Sequence, residues 1–208
     1  MDCYMKNNKK IILLLSFCLF GTVGVCSANE GKDIYKKCVA CHGVNGEGNT
    51  ALNTPKIAGQ QSWYLEKQLN AFKAGHRGGN SKDVLGQQMK PISQALSSNE
   101  VVTVSKYMSE MPISTQTVDT SAKHMNGYRY YQAKCGACHG GVAEGNQAFS
   151  APRLAGLDVE YLQRQMSHFK TGIRGYAQED KASRQMSLMS KIVNDKELGD
   201  ILNYVSKL

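Results

Sequence analysis

The sequence predicts an all-α protein built from two tandem copies of one domain, and three observations carry that reading. Residues 38–109 lie on residues 135–206 without a gap, and 27 of the 72 positions are identical, where composition alone would give about four. Apolar residues recur at helical spacing in both copies, with no alternating run that would read as a strand. Helix-start signals fall at matching places: Ser97 with Glu100, and Asn194 with Glu197, each an N-cap with an acidic residue three positions on. A solenoid would need more and shorter repeats.

The N-terminus reads as an export signal. Lys6, Lys9 and Lys10 precede an uncharged, mostly apolar run from Ile11 to Val25, and the small residues Cys26, Ser27 and Ala28 follow. This is the three-part pattern of a secretory leader over residues 1–28, cleaved after Ala28. The run is short for a spanning anchor. Acylation at Cys26 is the third reading, but Val25 is bulky where such sites take Gly or Ala. Removing the leader takes three of the 25 Lys and Arg and one of the 17 Asp and Glu, which leaves a net charge of +6. It also takes Cys3, Cys18 and Cys26, so four of seven Cys remain. The expected compartment is a bacterial periplasm, where thiols are oxidised unless something else claims them.

Domain 1 is expected over residues 29–111. A short helix, Asp33–Cys38, leads into Cys38-Val39-Ala40-Cys41-His42, and a Gly-rich loop runs from Gly43 to Gly48. Tyr64–Ala74 places Leu65, Leu69 and Phe72 on one helical face, a loop-like segment carries Met89, and Ser97–Ser109 closes the unit. Residues 112–124 read as a linker, because Pro112 is followed by Ser, Thr, Gln and Asp without periodicity. Domain 2, residues 125–208, repeats the plan. Its parts are Gly127–Cys135, Cys135-Gly136-Ala137-Cys138-His139, Gly140 to Gly145, Tyr161–Thr171 with Leu162, Met166 and Phe169, Met186, and Asn194–Ser206. There is one departure: Tyr35 lies three residues before Cys38, but Tyr131 lies four before Cys135. A unit of ~85 residues has a small core, which a large apolar body bound inside would complete.

Cys-x-x-Cys-His is the attachment signature of c-type haem. Two thiols at that spacing add across the two vinyl groups, and the next His ligates the iron. The rivals fit less well. A zinc ribbon wants its Cys pairs closer than the 97 residues between these. A thioredoxin-like pair wants a βαβ setting, and a structural disulfide leaves the His unexplained. Two motifs in matching register therefore predict two covalently bound haem c groups, on Cys38 and Cys41 and on Cys135 and Cys138, with His42 and His139 as axial ligands.

The opposite ligand is assigned to Met89 and Met186, the only Met residues that superpose under the 97-residue shift. Thioether sulfur suits haem iron and raises its potential. Met189 is the alternative in the second unit. Met108, Met111, Met125 and Met166 read as packing or exposed residues. His76, His124 and His168 lack repeat partners and read as surface histidines. The carbonyls of Pro55 and Pro152 are candidate acceptors for the ligating imidazoles, against a plain turn-forming role. Arg77 and Arg174 are candidate partners for haem propionates, against a solvated role. Tyr64, Tyr161, Phe72, Phe169, Tyr107 and Tyr204 are expected to pack around the haem.

With these residues in view, the sequence resembles a dihaem class I c-type cytochrome, most closely the cytochrome c4 family, over nearly all of the mature chain. The resemblance implies two cytochrome c-like domains related by a pseudo-twofold, with haem propionates near their interface. It implies periplasmic electron delivery, with a quinol–cytochrome c reductase or a dehydrogenase as donor and a terminal haem-copper oxidase or another reductase as acceptor. Some relatives are membrane associated.

If His and Met fill both axial positions, iron has no open site, and one-electron transfer is the chemistry that remains. A non-enzyme carrier is thus expected. The alternatives are the cytochrome subunit of a dehydrogenase, a haem enzyme such as a peroxidase or a thiosulfate-oxidising cytochrome, and a haem-based sensor. The positive balance suits docking to acidic partner patches or peripheral contact with anionic lipid. Its plainer reading is solubility charge, since the Lys residues are scattered. No motif supports nucleic-acid binding.

Overall fold

The computed structural model describes residues 23–113 and 125–208. Residues 1–22 of the expected leader, and 114–124 of the expected linker with His124, lie outside the described residues. The described residues are helical, with no sheet. Two isolated bridges, Asn49 with Thr54 and Asn146 with Ala151, pin equivalent loops in the two halves.

The first half contains α1 (Val23–Tyr35), the short α2 (Val39–His42), α3 (Ser62–Lys73), α4 (Val84–Gln94) and α5 (Ser98–Ser109). The second contains α6 (Met125–Tyr131), α7 (Ala137–His139), α8 (Val159–Lys170), α9 (Lys181–Met189) and α10 (Asp195–Val205). The predicted faces are the buried ones. Leu65, Leu69 and Phe72 of α3, and Leu162 and Phe169 of α8, are buried, while Met166 of the expected α8 face is half-buried. Both closing helices begin with a complete capping box. The Glu100 amide donates to Ser97 Oγ at 3.1 Å and the Ser97 amide donates back to the Glu100 carboxylate at 2.7 Å. Asn194 and Glu197 do the same at 2.9 and 3.1 Å.

Each half has its own core. In the first, Ile34, Tyr35, Leu65, Leu96, Val101, Val104 and Met108 cluster. In the second, Tyr131, Leu162, Val193, Ile201, Leu202, Tyr204 and Val205 cluster. The closing helix lies across the leading helix at a glycine in both. A Cβ on Gly31 would sit 2.6 Å from Tyr107 Cβ, and one on Gly127 would sit 2.1 Å from the Asp200 carbonyl oxygen.

The one-residue departure before the second Cys motif is absorbed locally. Gln132–Gly136 forms a π-helical turn, which the first half lacks. A π-turn takes up an inserted residue without changing what lies on either side. Tyr35 Oη donates to the Gly43 carbonyl at 2.7 Å, and Tyr131 Oη donates to the Gly140 carbonyl at 2.7 Å. Each ring lies 5.7 Å from that of Tyr107 or Tyr204, at the same 51°. The first leading helix, expected to run to Cys38, instead ends at Tyr35, whereas the second is helical through Cys135 as expected, its last part being the π-turn.

Two other expectations change. Met89 and Met186 sit on helices, α4 and α9, where a loop was expected. Each helix is started by an Asp: Asp83 accepts from the Gly86 amide at 3.0 Å, and Asp180 accepts from the Ser183 amide at 3.2 Å. Tyr107 and Tyr204 pack on the leading helices, not around the motif cavity.

The glycine contact makes a prediction. An Ala in a helix interior normally gains about 1 kcal/mol over Gly. At position 127 the added methyl meets a backbone carbonyl that cannot swing aside, a kind of overpacking that costs about 1–3 kcal/mol. Gly127→Ala should therefore lower the denaturation midpoint of the second domain. Gly199→Ala, on α10 with open space at its Cβ, should raise it.

Candidate haem sites and the family they define

Both Cys motifs form a turn that ends in a buried His. His42 and His139 are 6% and 5% exposed. The Nδ1 of His42 lies 2.9 Å from the Pro55 carbonyl oxygen, and that of His139 lies 2.8 Å from the Pro152 oxygen. A carbonyl can only accept, so Nδ1 carries the proton and donates, which leaves the Nε2 lone pair for a metal. Burial lowers the pKa of both imidazoles, partly offset by the bond to proline. The neutral form is the one that ligates. Glycine follows each His at φ +85°, and a Cβ there would sit 2.3 or 2.2 Å from the Glu47 or Glu144 carboxyl carbon. The chain thus turns out of the motif at once and presents the carbonyl that the tyrosine binds.

The four thiols are not joined as disulfides. Burial pushes Cys38 and Cys135 up to about 11, which does not suit a dithiol pair working as a nucleophile near neutral pH.

One mostly apolar cavity runs through both halves. Its walls include Cys38, Cys41, His42, Leu65, Phe72 and Met89 from the first half, and Cys135, Cys138, His139, Leu162, Phe169 and Met186 from the second. Tyr64 and Tyr161 line it as expected. Met189 lines it beside Met186, and its repeat counterpart, Ile92, lines the first half. Both sequence-matched methionines are thus brought to the same cavity as their histidines.

Arg77 and Arg174 lie where the two halves of the cavity meet, 8% and 5% exposed. Each guanidinium stacks on its own half's phenylalanine, Arg77 on Phe72 at 4.4 Å and Arg174 on Phe169 at 4.5 Å. Each also crosses the interface. Arg77 donates to Gln68 at 2.9 Å and to Gln165 of the other half at 3.3 Å. Arg174 donates to Gln165 at 2.7 Å, to Gln68 at 2.8 Å and to the Tyr64 hydroxyl at 3.2 Å. Among the described residues, no carboxylate lies within salt-bridge distance of either, and both Nε atoms are buried without a partner. Two buried cations sharing neutral acceptors are costly unless an anion joins them. A haem carries two propionates, and these residues fit that group: a thiol pair and a free Nε2 at one end, apolar walls, and unpaired guanidinium N–H donors at the other. The Arg–Gln cross-network, which sequence reasoning missed, is signalled only by the repeat matches Gln68/Gln165 and Arg77/Arg174.

Lys56, Gln60 and Gln61 of the first half add further contacts. The Lys56 amide donates to Asp158 at 3.0 Å, Gln60 Nε2 donates to the Arg153 carbonyl at 3.0 Å, and Gln61 accepts from the Arg153 amide at 3.1 Å.

Comparison with known proteins agrees. The cytochrome c family model matches residues 28–112 and again 124–208. A cytochrome c4 of Azotobacter vinelandii is 28% identical, with 97% of this chain and 99% of the relative covered. A protein named thiosulfate dehydrogenase electron acceptor, from Stutzerimonas stutzeri (strain A1501), is 26% identical over 87% of each chain. The crystal structure of reduced recombinant cytochrome c4 from Pseudomonas stutzeri superposes with a TM-score of 0.72 at 27% identity, covering 87% of this chain and 98% of that one. With a Cys-x-x-Cys-His turn in each matched half and one mostly apolar cavity lined by both, the chain belongs to the cytochrome c family as a dihaem, cytochrome c4-like electron carrier with two covalently bound haem c groups.

Proposed function

We propose that the chain is exported to the periplasm, after loss of residues 1–28, and shuttles electrons without catalysing a reaction of its own. Bound haem c supplies the one-electron ferric/ferrous couple. Cys38, Cys41, Cys135 and Cys138 hold the two groups covalently. His42 and His139, oriented by Pro55 and Pro152, would supply one iron ligand in each half, and Met89 and Met186 would supply the other. Arg77 and Arg174 bind propionates at the domain interface. The observation that carries this reading is the pairing, in each half, of a proline-oriented His with a repeat-matched Met on one continuous apolar cavity. With a His and a Met available to each iron, a bound haem would supply one-electron transfer and not substrate chemistry.

The donor is a quinol–cytochrome c reductase or a dehydrogenase, and the acceptor is a terminal haem-copper oxidase. The likeness to a thiosulfate dehydrogenase electron acceptor over 87% of both chains favours a second reading of the donor, a thiosulfate-oxidising dehydrogenase. No helix among the described residues is long and apolar enough to cross a membrane.

Redox titration with magnetic circular dichroism of the ferric protein tests the assignment. Two reversible one-electron steps and a thioether–iron charge-transfer band at both centres are expected. A high-spin or bis-His signal at either would reject the carrier reading in favour of an enzyme or sensor.

A further inference from the structure

The two halves grip each other's methionine-bearing helix by its capping aspartate, but with different chemistry. Asp180, at the start of α9, pairs with Lys67 of the first half, Nζ to Oδ1 3.1 Å. Asp83, its repeat counterpart at the start of α4, faces His168 of the second half, Nδ1 to Oδ1 3.7 Å. Position 164, which matches Lys67, holds an Arg that turns to the Asn53 carbonyl at 2.9 Å. Position 71, which matches His168, is Ala. One capping aspartate thus faces a cation at every physiological pH, and the other faces a group whose charge depends on pH.

His168 is not the surface residue expected. Its side chain is 12% exposed, its Nδ1 has no hydrogen-bond partner, and its carbonyl accepts from the Arg174 amide at 3.0 Å. Asp83 does more than cap α4: its other oxygen accepts from the Gly78 amide at 3.2 Å, so it also anchors the turn after Arg77. The charged groups around the imidazole are Asp83, which favours its protonation, and Arg164 on its own helix with Arg77 and Arg174, which oppose it. Tyr176, which donates to the Gly75 carbonyl, is the other titratable group near Asp83. Burial first, then the guanidiniums, hold His168 below the ordinary histidine pKa despite Asp83.

We propose that His168 is a proton-linked positioning residue that ties the redox potential of the first half's haem centre to pH. The inference rests on the assignment of Met89 as the axial ligand on α4. Protonated, His168 completes the ion pair with Asp83 and adds positive charge beside the first centre, which favours its reduced state. As pH rises through the His168 pKa that charge is lost, and the first potential falls. The capping aspartate of the second half faces a lysine and not a histidine, so no such step is expected at the second centre. By linkage, reduction of the first centre strengthens proton binding at His168 by the same factor.

The test is spectroelectrochemical titration of the full holoprotein from about pH 4.5 to 8, on the acid side of the histidine range and above it, alongside an NMR titration of the His168 ring. In the wild type, one potential should show a step at the pKa read from the ring. His168→Lys should lose the step and hold the low-pH value throughout; His168→Gln should lose it and hold the high-pH value. Lys67→His should create a second step, in the other potential. Propionate titration is common to all variants and cancels in the comparison. Superimposable pH profiles for wild type and His168→Lys would overturn the proposal while leaving the carrier reading intact. Absence of two reversible potentials would instead sink the carrier reading.

Discussion

Replacing Met186 by His should lower one midpoint potential by on the order of 0.1 V or more, within the ≈ 0.8 V that axial ligands span, and leave the other nearly where it was. Thioether sulfur is a weak donor that favours ferrous iron; imidazole is a stronger donor that favours ferric. The substitution changes one half only, and Met186 lies on the cavity wall shared with His139, so the effect should be local. The thioether charge-transfer band should halve in the same sample. Met189 supplies the alternative outcome. It lines the same cavity one helical turn further on, so unchanged potentials in Met186→His, with a drop in Met189→His, would move the ligand there. The repeat argues for Met186, because the residue matching Met189 is Ile92, which cannot ligate.

The duplication made the sequence readable where the two halves agree. Matching Leu65 with Leu162 and Phe72 with Phe169 showed which face of each long helix is buried, and Ser97 with Asn194 showed where each closing helix starts. The histidine partners are legible the same way: Pro55 and Pro152 match under the repeat, and both carbonyls lie within hydrogen-bond reach of their imidazoles. Tyr107 and Tyr204 show the limit of this reasoning. A matched aromatic signals a matched contact, but not with what, and these two stack on Tyr35 and Tyr131.

Less was legible where spacing or tertiary context decides. The helical setting of Met89 and Met186 depends on Asp83 and Asp180 as caps, and the amides they accept from belong to Gly86 in one half and Ser183 in the other. With Gly86 and Pro91, α4 is rich in residues that argue locally against a helix. His168 misled for a related reason. Having no repeat partner made it look incidental, yet its Asp83 contact is a place where the two halves differ. Such asymmetry appears only when the domains are docked, because Asp83 belongs to the first half and His168 to the second.

Removing both thiols of the second motif, Cys135→Ala with Cys138→Ala, should leave a protein with one covalent haem and a markedly weakened second domain. The first consequence is stoichiometric: intact mass and haem per chain should fall from two equivalents to one. The second is energetic. The second core is small, and Leu162, Phe169, Leu198 and Val205 contribute apolar surface to the cavity wall. That surface is worth roughly 25 cal/mol per Å² only while something covers it. Without covalent anchorage the domain must retain its occupant by His139 and packing alone, so its unfolding should separate from that of the first domain and move to lower denaturant. The third consequence reaches across the interface. Arg174 and Arg77 share Gln68 and Gln165, so losing an anion beside Arg174 leaves two buried cations with one fewer compensating charge. The first domain should therefore lose some stability although none of its residues has changed. Recovery of two covalent haems would break the assignment of the motifs. One haem with the first domain's unfolding unmoved would preserve the motifs and reject the arginines as propionate partners.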